Sequence, residues 1–161
     1  MAVDAWREIA TARLRLRRFQ AEDLDGLAAI LADGETMRFL EPPFDRAKAE
    51  RFLHKAGLGR DPLVCAAARR DTDEVLGYAI FHPWVEDGVW EIGWVLARPW
   101  WGRGLASEMT EALIGRAREM GVRSLVIECD PGQAASARVA GKFGFREEAP
   151  REGLRVFRKE L

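Results

Sequence analysis

The chain has 161 residues, 48% of them hydrophobic, and its 25 Lys and Arg residues nearly balance 26 Asp and Glu residues. This length and composition predict one domain, residues 1–161, with a substantial hydrophobic core. The net charge of −1 argues against nucleic acid or a membrane surface as a partner. We find no signal peptide, membrane-spanning run or lipidation motif, and we therefore expect a cytoplasmic protein.

The cysteine and histidine content argues against a metal site. Cys65 and Cys129 each fall in an apolar run and are expected to be small buried hydrophobic residues. Two cysteines and two distant histidines form no pattern of metal ligands. We therefore expect no bound metal.

The first predicted element is a strand with a basic outer face. It covers Ala12–Phe19, where leucines alternate with Arg13, Arg15 and Arg17. Such alternation is typical of a strand with one buried and one solvated side. We expect an edge strand whose solvated charges prevent pairing with another chain, preceded by an irregular segment over residues 1–11.

Two helices are predicted next. Glu22–Ala32 places its apolar side chains on one face and acidic residues in its first turn. Asp45 has a side chain suited to a helix N-cap, and a second helix is expected from there to about Ala56. Between them, Glu35–Phe44 has no apolar periodicity, so no element is assigned to it.

The rest of the chain alternates strands and helices. A helical crossover after the strand that starts at Val89 predicts a parallel neighbouring strand. The whole pattern predicts an α/β (α+β) fold, with a mixed central sheet of about seven strands flanked by about four helices. The further strands are predicted over Leu63–Ala68, Val75–Phe81, Val89–Leu96, Arg123–Cys129, from Gly144, and over Gly153–Lys159, and the further helices over Leu105–Met120 and Ala134–Phe143.

A glycine turn joins the strand Val89–Leu96 to the helix Leu105–Met120. Pro99 ends the strand because proline cannot donate to a sheet, and Gly102 and Gly104 follow. The first turn of a helix has free N–H groups and the positive end of the helix dipole, and glycines let an anion approach that backbone. The unit therefore predicts a phosphate site, although plain tight turns share this pattern. It lacks the lysine of a P-loop and the full spacing of a dinucleotide motif.

At these residues the sequence resembles the GCN5-related N-acetyltransferase (GNAT) family. Trp101–Ala106 matches its Q/R-x-x-G-x-G/A signature for acetyl-CoA, with tryptophan in the first position. That tryptophan and the Glu-Ile-Gly-Trp run at 91–94 resemble the subgroup of ribosomal-protein N-terminal acetyltransferases. Residues 130–145 resemble the family's D-P-x-N-x-x-S…K-x-G-F element, with Gln133 in place of the asparagine. The resemblance covers nearly the whole chain and implies the acyl-CoA N-acyltransferase fold, with the cofactor-binding core at about 89–145.

The resemblance implies how acetyl-CoA binds. In the family, backbone amides of the turn hold the pyrophosphate, and the preceding strand pairs with the pantetheine arm. Gln133 either keeps or loses the contact that the family's asparagine makes with this arm. The residues implied to bind acetyl-CoA are Trp94, Val95, Leu96, Trp101, Gly102, Arg103, Gly104, Leu105, Ala106, Ser107 and Gln133.

The implied reaction is acetyl transfer from a thioester to a primary amine, by direct attack through a tetrahedral intermediate. The amine must be neutral to attack, and its pKa is about 7.7–8.0 for an α-amino group but about 10.4 for lysine. A backbone N–H of the Trp94–Leu96 strand is expected to stabilise the oxyanion. The expected acceptor is a protein N-terminal α-amino group, with amino acids or aminoglycosides as the alternative.

Four side chains are candidates for chemistry or acceptor binding. Glu91 matches a catalytic glutamate of some family members and is the expected general base, with an ordinary ion pair as the alternative. Ser136 matches a serine near the thioester sulfur and is expected to donate a proton, or else to hydrogen-bond its helix backbone. His82 and Glu41 are candidate contacts of the acceptor, and His82 could also face the cleft and act as a base, although a strand-end or surface histidine and a solvated glutamate are the alternatives. Ala140 replaces the tyrosine acid of many members, so that acid is not expected.

Two other functions fit parts of the pattern. A non-catalytic acyl-CoA-binding module would fit the missing tyrosine and the Gln133 substitution. A regulatory domain for another nucleotide would use the same glycine turn. Paired sheet edges or helices would allow a homodimer.

Overall fold

The structure is a computed structural model that describes residues 3–161. Its strands are β1 (Ile9–Ala10), β2 (Leu14–Arg17), β3 (Val64–Arg69), β4 (Val75–Pro83), β5 (Val89–Leu96), β6 (Ser124–Cys129), β7 (Arg146–Arg151) and β8 (Leu154–Glu160). Its α-helices are α1 (Leu24–Leu31), α2 (Arg46–Phe52), α3 (Leu105–Met120) and α4 (Ala134–Lys142). None of these helices is long and apolar enough to cross a membrane.

All the strands join one mixed sheet in the order β1-β2-β3-β4-β5-β6-β8-β7. The pair β5 and β6 is parallel, as predicted from the helical crossover, and the other neighbours are antiparallel. The predicted fold class is confirmed. The sheet has eight strands rather than about seven because β1 lies in the segment expected to be irregular and pairs with β2.

The prediction of a solvated edge strand is wrong for β2. This strand lies between β1 and β3, so it is not at an edge. The Arg17 residue, expected to be solvated, is only 5% exposed. Its guanidinium pairs with Asp23 at 2.9 Å and with Asp73 at 2.9 Å. Neighbouring carboxylates therefore compensate this charge inside the protein, where water does not reach it.

The local sequence pattern correctly predicted the positions of the first two helices. Asp45 caps α2, as predicted, because its side chain accepts a hydrogen bond from the Lys48 amide at 2.8 Å. The regular helix ends at Phe52, and a π-helical turn continues to Gly57. The segment after α1 that has no apolar periodicity forms only turns and bends.

Helices cover both faces of the sheet. On one face, α3 and α4 pack over a core that includes Ile92, Leu125 and Met109. On the other face, α1 and α2 pack over a core that includes Tyr78 and Val95. Both cysteines are buried and free, as expected. A smaller cluster lies beneath Trp84 on the α1 side of the sheet and is formed by Val89, Val126 and Val156.

Candidate active site

The two parallel strands at the centre of the sheet diverge toward their carboxyl ends. Their pairing runs from Val89↔Ser124 to Glu91↔Val126, and the described residues show no pairing beyond that point. On its other side, β5 stays paired with β4 as far as Leu96. The β6-facing backbone of β5 after Glu91 therefore has no strand partner and is available to a ligand.

A cavity of about 500 Å³ lies beside this split. Its walls are the end of β5, the turn before α3, the start of α4 and the segment after α1. Every residue predicted to bind acetyl-CoA lines it except Arg103, whose guanidinium carbon lies 4.8 Å from the Trp100 ring centre. The lining members of that set are Trp94, Val95, Leu96, Trp101, Gly102, Gly104, Leu105, Ala106, Ser107 and Gln133.

The turn before α3 presents backbone to this cavity. Gly102 and Gly104 have φ values of 69° and 80°, a left-handed conformation that side chains disfavour. Gly104 is the N-cap of α3 and has no side chain to occupy the first amides of the helix. The Trp101 indole donates a 2.7 Å hydrogen bond to the Leu96 carbonyl, which ties the turn to the end of β5. Lys142 lies 3.2 Å from the Ser107 hydroxyl and adds positive charge beside the same turn. The arrangement suits an anion.

A second cavity, of about 50 Å³, passes through the split itself. Both faces of β5 line it, since alternate residues of a strand point to opposite sides of a sheet. It therefore connects the α4 side of the sheet with the α1 side. Glu91 and Ser136, the two residues predicted to act in catalysis, both face it. The residues that line both cavities, and so join them, are Leu40, Trp94, Val95, Gln133 and Ser136.

Two carboxylates face the smaller cavity. Glu91 on β5 and Glu128 on β6 have side chains that are 17% and 13% exposed. Glu128 accepts a 2.9 Å hydrogen bond from the Trp84 indole and lies 3.6 Å from the Arg151 guanidinium. Burial, reinforced by the negative charge of Glu91, raises the pKa of Glu128 above its ordinary value. Glu128 was not among the residues predicted from the sequence, although it is the only charged residue in β6.

The two residues predicted to contact the acceptor lie in different places. His82 faces Glu91 across the β4–β5 pair, with its Nε2 3.6 Å from the Glu91 carboxylate and its Nδ1 2.9 Å from the Pro83 carbonyl. Burial lowers the pKa of His82, but the Glu91 carboxylate raises it, and the pKa lies above its ordinary value. Glu41 is 58% exposed and pairs with Lys48 at 3.1 Å. The structure thus brings His82 to Glu91, whereas Glu41 lines neither cavity.

Comparison with known proteins identifies the family. Residues 13–146 match the family described as Acetyltransferase (GNAT) domain. The uncharacterized N-acetyltransferase YnaD of Bacillus subtilis (strain 168) is 29% identical over 142 residues, which are 87% of this chain and 83% of that protein. The L-methionine sulfoximine/L-methionine sulfone acetyltransferase of Pseudomonas aeruginosa (strain PAO1) is 30% identical over 130 residues, 76% of this chain and 74% of that protein.

Comparison with solved structures agrees on the fold. The structure of a putative ribosomal-protein-serine acetyltransferase from Vibrio cholerae matches with a TM-score of 0.83 over 100% of both chains, at 20% identity. The family match extends over most of the chain and includes the turn, both diverging strands and both cavities. The chain therefore belongs to the GNAT acetyltransferase family and is an N-acetyltransferase.

Proposed function

We propose that this enzyme transfers the acetyl group of acetyl-CoA to an α-amino group, with Glu91 as the general base. The observation that carries this proposal is the small cavity through the split in the sheet. It adjoins the larger cavity, which the glycine turn lines, and it contains a carboxylate that is mostly shielded from water. A thioester held along β5 and an amine beside Glu91 would meet there.

The larger cavity supplies the groups that coenzyme A needs. We assign the pyrophosphate to the free amides before α3, where Gly102 and Gly104 keep side chains away. The unpaired edge of β5 suits the amide groups of the pantetheine arm. Gln133 lies where the two cavities join, and we propose that it keeps a contact with this arm. Arg103 does not line this cavity, so we leave it out of the proposed set.

The residues around the split suit direct attack. A neutral amine forms the C–N bond at the thioester carbonyl, and Glu91 accepts a proton from the nitrogen, directly or through water. A β5 backbone N–H between Trp94 and Leu96 stabilises the oxyanion. The C–S bond then breaks, and Ser136 is placed to pass a proton to the sulfur. A thiol with a pKa of about 8.5 needs little help from an acid to leave.

The acceptor is assigned by its chemistry. An α-amino group has a pKa of about 7.7–8.0, so a larger fraction of it is neutral near pH 7 than of a lysine side chain, whose pKa is about 10.4, and the demand on a base is smaller. The Pseudomonas relative is named for two methionine derivatives, which carry such a group. A protein N-terminus carries it too, and the Vibrio structural neighbour is named as an acetyltransferase of a ribosomal protein. We propose these two kinds of α-amine as acceptors.

An acceptor screen tests the proposal. Thiol release from acetyl-CoA is measured with free L-amino acids, L-methionine sulfone, peptides with free or blocked N-termini, and aminoglycosides. We expect turnover with α-amines and none with blocked peptides, and the ratio of kcat/KM between amino acids and peptides assigns the acceptor. Tight binding of acetyl-CoA without turnover of any amine, or turnover confined to aminoglycosides, would contradict the proposal.

Replacing Gly104 with Ala is expected to weaken coenzyme A binding at least about tenfold, which corresponds to about 1.4 kcal/mol. A residue with a side chain in a left-handed conformation costs about 1–2 kcal/mol, so the turn shifts and its amides move away from the pyrophosphate. Calorimetric titration with coenzyme A measures the effect. The matched control is Gly115→Ala in the same helix, where an added Cβ meets nothing within 4 Å. That change should leave the Kd unchanged, and equal losses in both variants would count against the turn.

A further inference from the structure

We propose that Glu128 is a substrate-binding residue, which holds the acceptor together with Glu91 as an ammonium ion in the cavity through the split. This inference rests on the proposed function of the same site. It adds a residue that the sequence pattern did not single out, and it defines the charge state in which the acceptor arrives.

The geometry of the sheet brings the two carboxylates together. Glu91 is the last residue of β5 that pairs with β6, and its partner there is Val126. Glu128 follows two residues later, so its side chain points to the same face of the sheet. Both side chains line the small cavity, which opens at the point where the strands separate. Because the strands have stopped pairing there, the cavity lies beside both carboxylates, and a ligand atom in it can contact them.

The surroundings hold Glu128 in place. Its carboxylate accepts the hydrogen bond from the Trp84 indole. The guanidinium carbons of Arg151 and Arg158 each lie 5.6 Å from the Trp84 ring centre, so the ring is fixed from outside. Arg158 forms ion pairs with Glu86 at 2.9 Å and with Glu148 at 3.1 Å. These two carboxylates, which do not line the cavity, balance its charge. A fixed carboxylate that points into a cavity is suited to binding.

The charges that face Glu128 leave the site in need of a cation. Glu91 approaches from β5, His82 lies beyond it on β4, and Arg151 approaches from β7 at 3.6 Å. Arg151 is 37% exposed and also lies 3.5 Å from Glu152, so it balances Glu128 only in part. Burial and the negative charge of Glu91 both disfavour the ionised form of Glu128, so its carboxylate lacks a full counter-charge. An ammonium ion bound by both carboxylates would supply that charge.

The proton balance of the reaction follows. The ammonium ion binds to the two ionised carboxylates. One proton then passes from the nitrogen to Glu91, and the neutral amine forms the C–N bond as the C–S bond breaks. The nitrogen loses its second proton to the departing thiolate through Ser136. The products are the acetylamine and the thiol, and Glu91 then releases its proton to solvent.

Nuclear magnetic resonance of the full chain, labelled with ¹³C at the glutamate side-chain carboxyls, tests the pairing without knowledge of the acceptor. The resonance that is absent from Glu128→Gln belongs to Glu128. We expect this resonance to report a pKa for Glu128 above the ordinary glutamate value of about 4.3. That pKa should fall in Glu91→Gln, and it should also fall when methylammonium chloride is added. Sodium chloride at the same concentration is the control. A resonance that titrates normally, or that both salts shift equally, would overturn the proposal.

Kinetics with an α-amine from the acceptor screen test the binding role. Glu128→Gln is expected to raise the KM for the amine at least about tenfold, with a smaller change in kcat. The increase should shrink as the pH rises through the acceptor pKa of about 7.7–8.0, because the neutral amine no longer needs a second carboxylate. The control is Glu147→Gln, an exposed carboxylate on β7 that should change nothing. A pH-independent rise in KM would indicate a structural role and reject the inference. If no amine is turned over, the proposed function fails, whereas the resonance experiment still decides whether Glu128 binds an ammonium ion.

Discussion

Glutamine at position 91 is expected to lower kcat about 10²–10⁴-fold, the range of general-base catalysis, with little change in coenzyme A affinity. The amide keeps the size of the side chain but does not accept the proton from the attacking amine. Glu91 sits where the sheet splits, between the cavity and His82, so no other carboxylate on β5 replaces it. Steady-state kinetics with the acceptor from the screen, together with calorimetric titration of coenzyme A, measure the two effects.

Two further variants distinguish a general base at Glu91 from a structural role of its carboxylate. The exposed Glu147→Gln on β7 provides the matched control and should retain full activity, because its carboxylate pairs with Arg155 at the surface. His82→Gln should have a smaller effect than Glu91→Gln, since its ring contacts Glu91 and does not line the cavity. Activity of Glu91→Gln within about threefold of the parent would remove Glu91 from the mechanism.

Replacing Arg17 with Met should lower the free energy of unfolding by about 3 kcal/mol, the lower end of the range for breaking a buried ion pair. The change leaves Asp23, whose side chain is 10% exposed, without its partner, while Asp73 is 46% exposed and keeps contact with water. Arg15→Met is the matched control from the same strand. Arg15 also pairs with Asp73, at 3.0 Å, but is 34% exposed, so its loss should cost at most about 1 kcal/mol. Urea unfolding measures both, and equal losses would contradict the buried pair.

The same pair predicts how stability depends on pH. Burial raises the pKa of Asp23, but hydrogen bonds from Arg17 and from the Gln20 amide lower it, and the pKa lies below its ordinary value. A lowered folded-state pKa means that this stabilisation is present above the ordinary aspartate pKa of about 3.9 and is lost as the pH falls through the folded value. The Arg17→Met variant should therefore lose less stability than the parent on acidification below that value. A parallel decline in both proteins would mean that other carboxylates dominate.

Features with local causes were predictable from the sequence. The Asp45 cap, the helix Leu105–Met120 and the glycine turn before it each depend on residues within a few positions of one another. The parallel β5–β6 pair followed from the helix between the two strands, because a crossover of that length cannot make a hairpin. Most of the residues predicted to bind acetyl-CoA line one cavity for the same reason, since those from Trp94 to Ser107 follow one another in the strand, turn and helix.

Features that depend on distant residues were decided only by the tertiary structure. Arg17 is buried because Asp73, 56 positions away, meets it across the sheet, and alternation along one strand cannot report such a partner. β1 is two residues long and has no period of its own, so only its pairing with β2 defines it. Glu128 faces Glu91 because two strands separate at that point, and strand divergence is set by packing between elements rather than by any local pattern. The sequence by itself thus indicated the family and determined the turn, because both depend on residues close together in the chain, whereas the three-dimensional course of the sheet decided which carboxylates meet at the cavity.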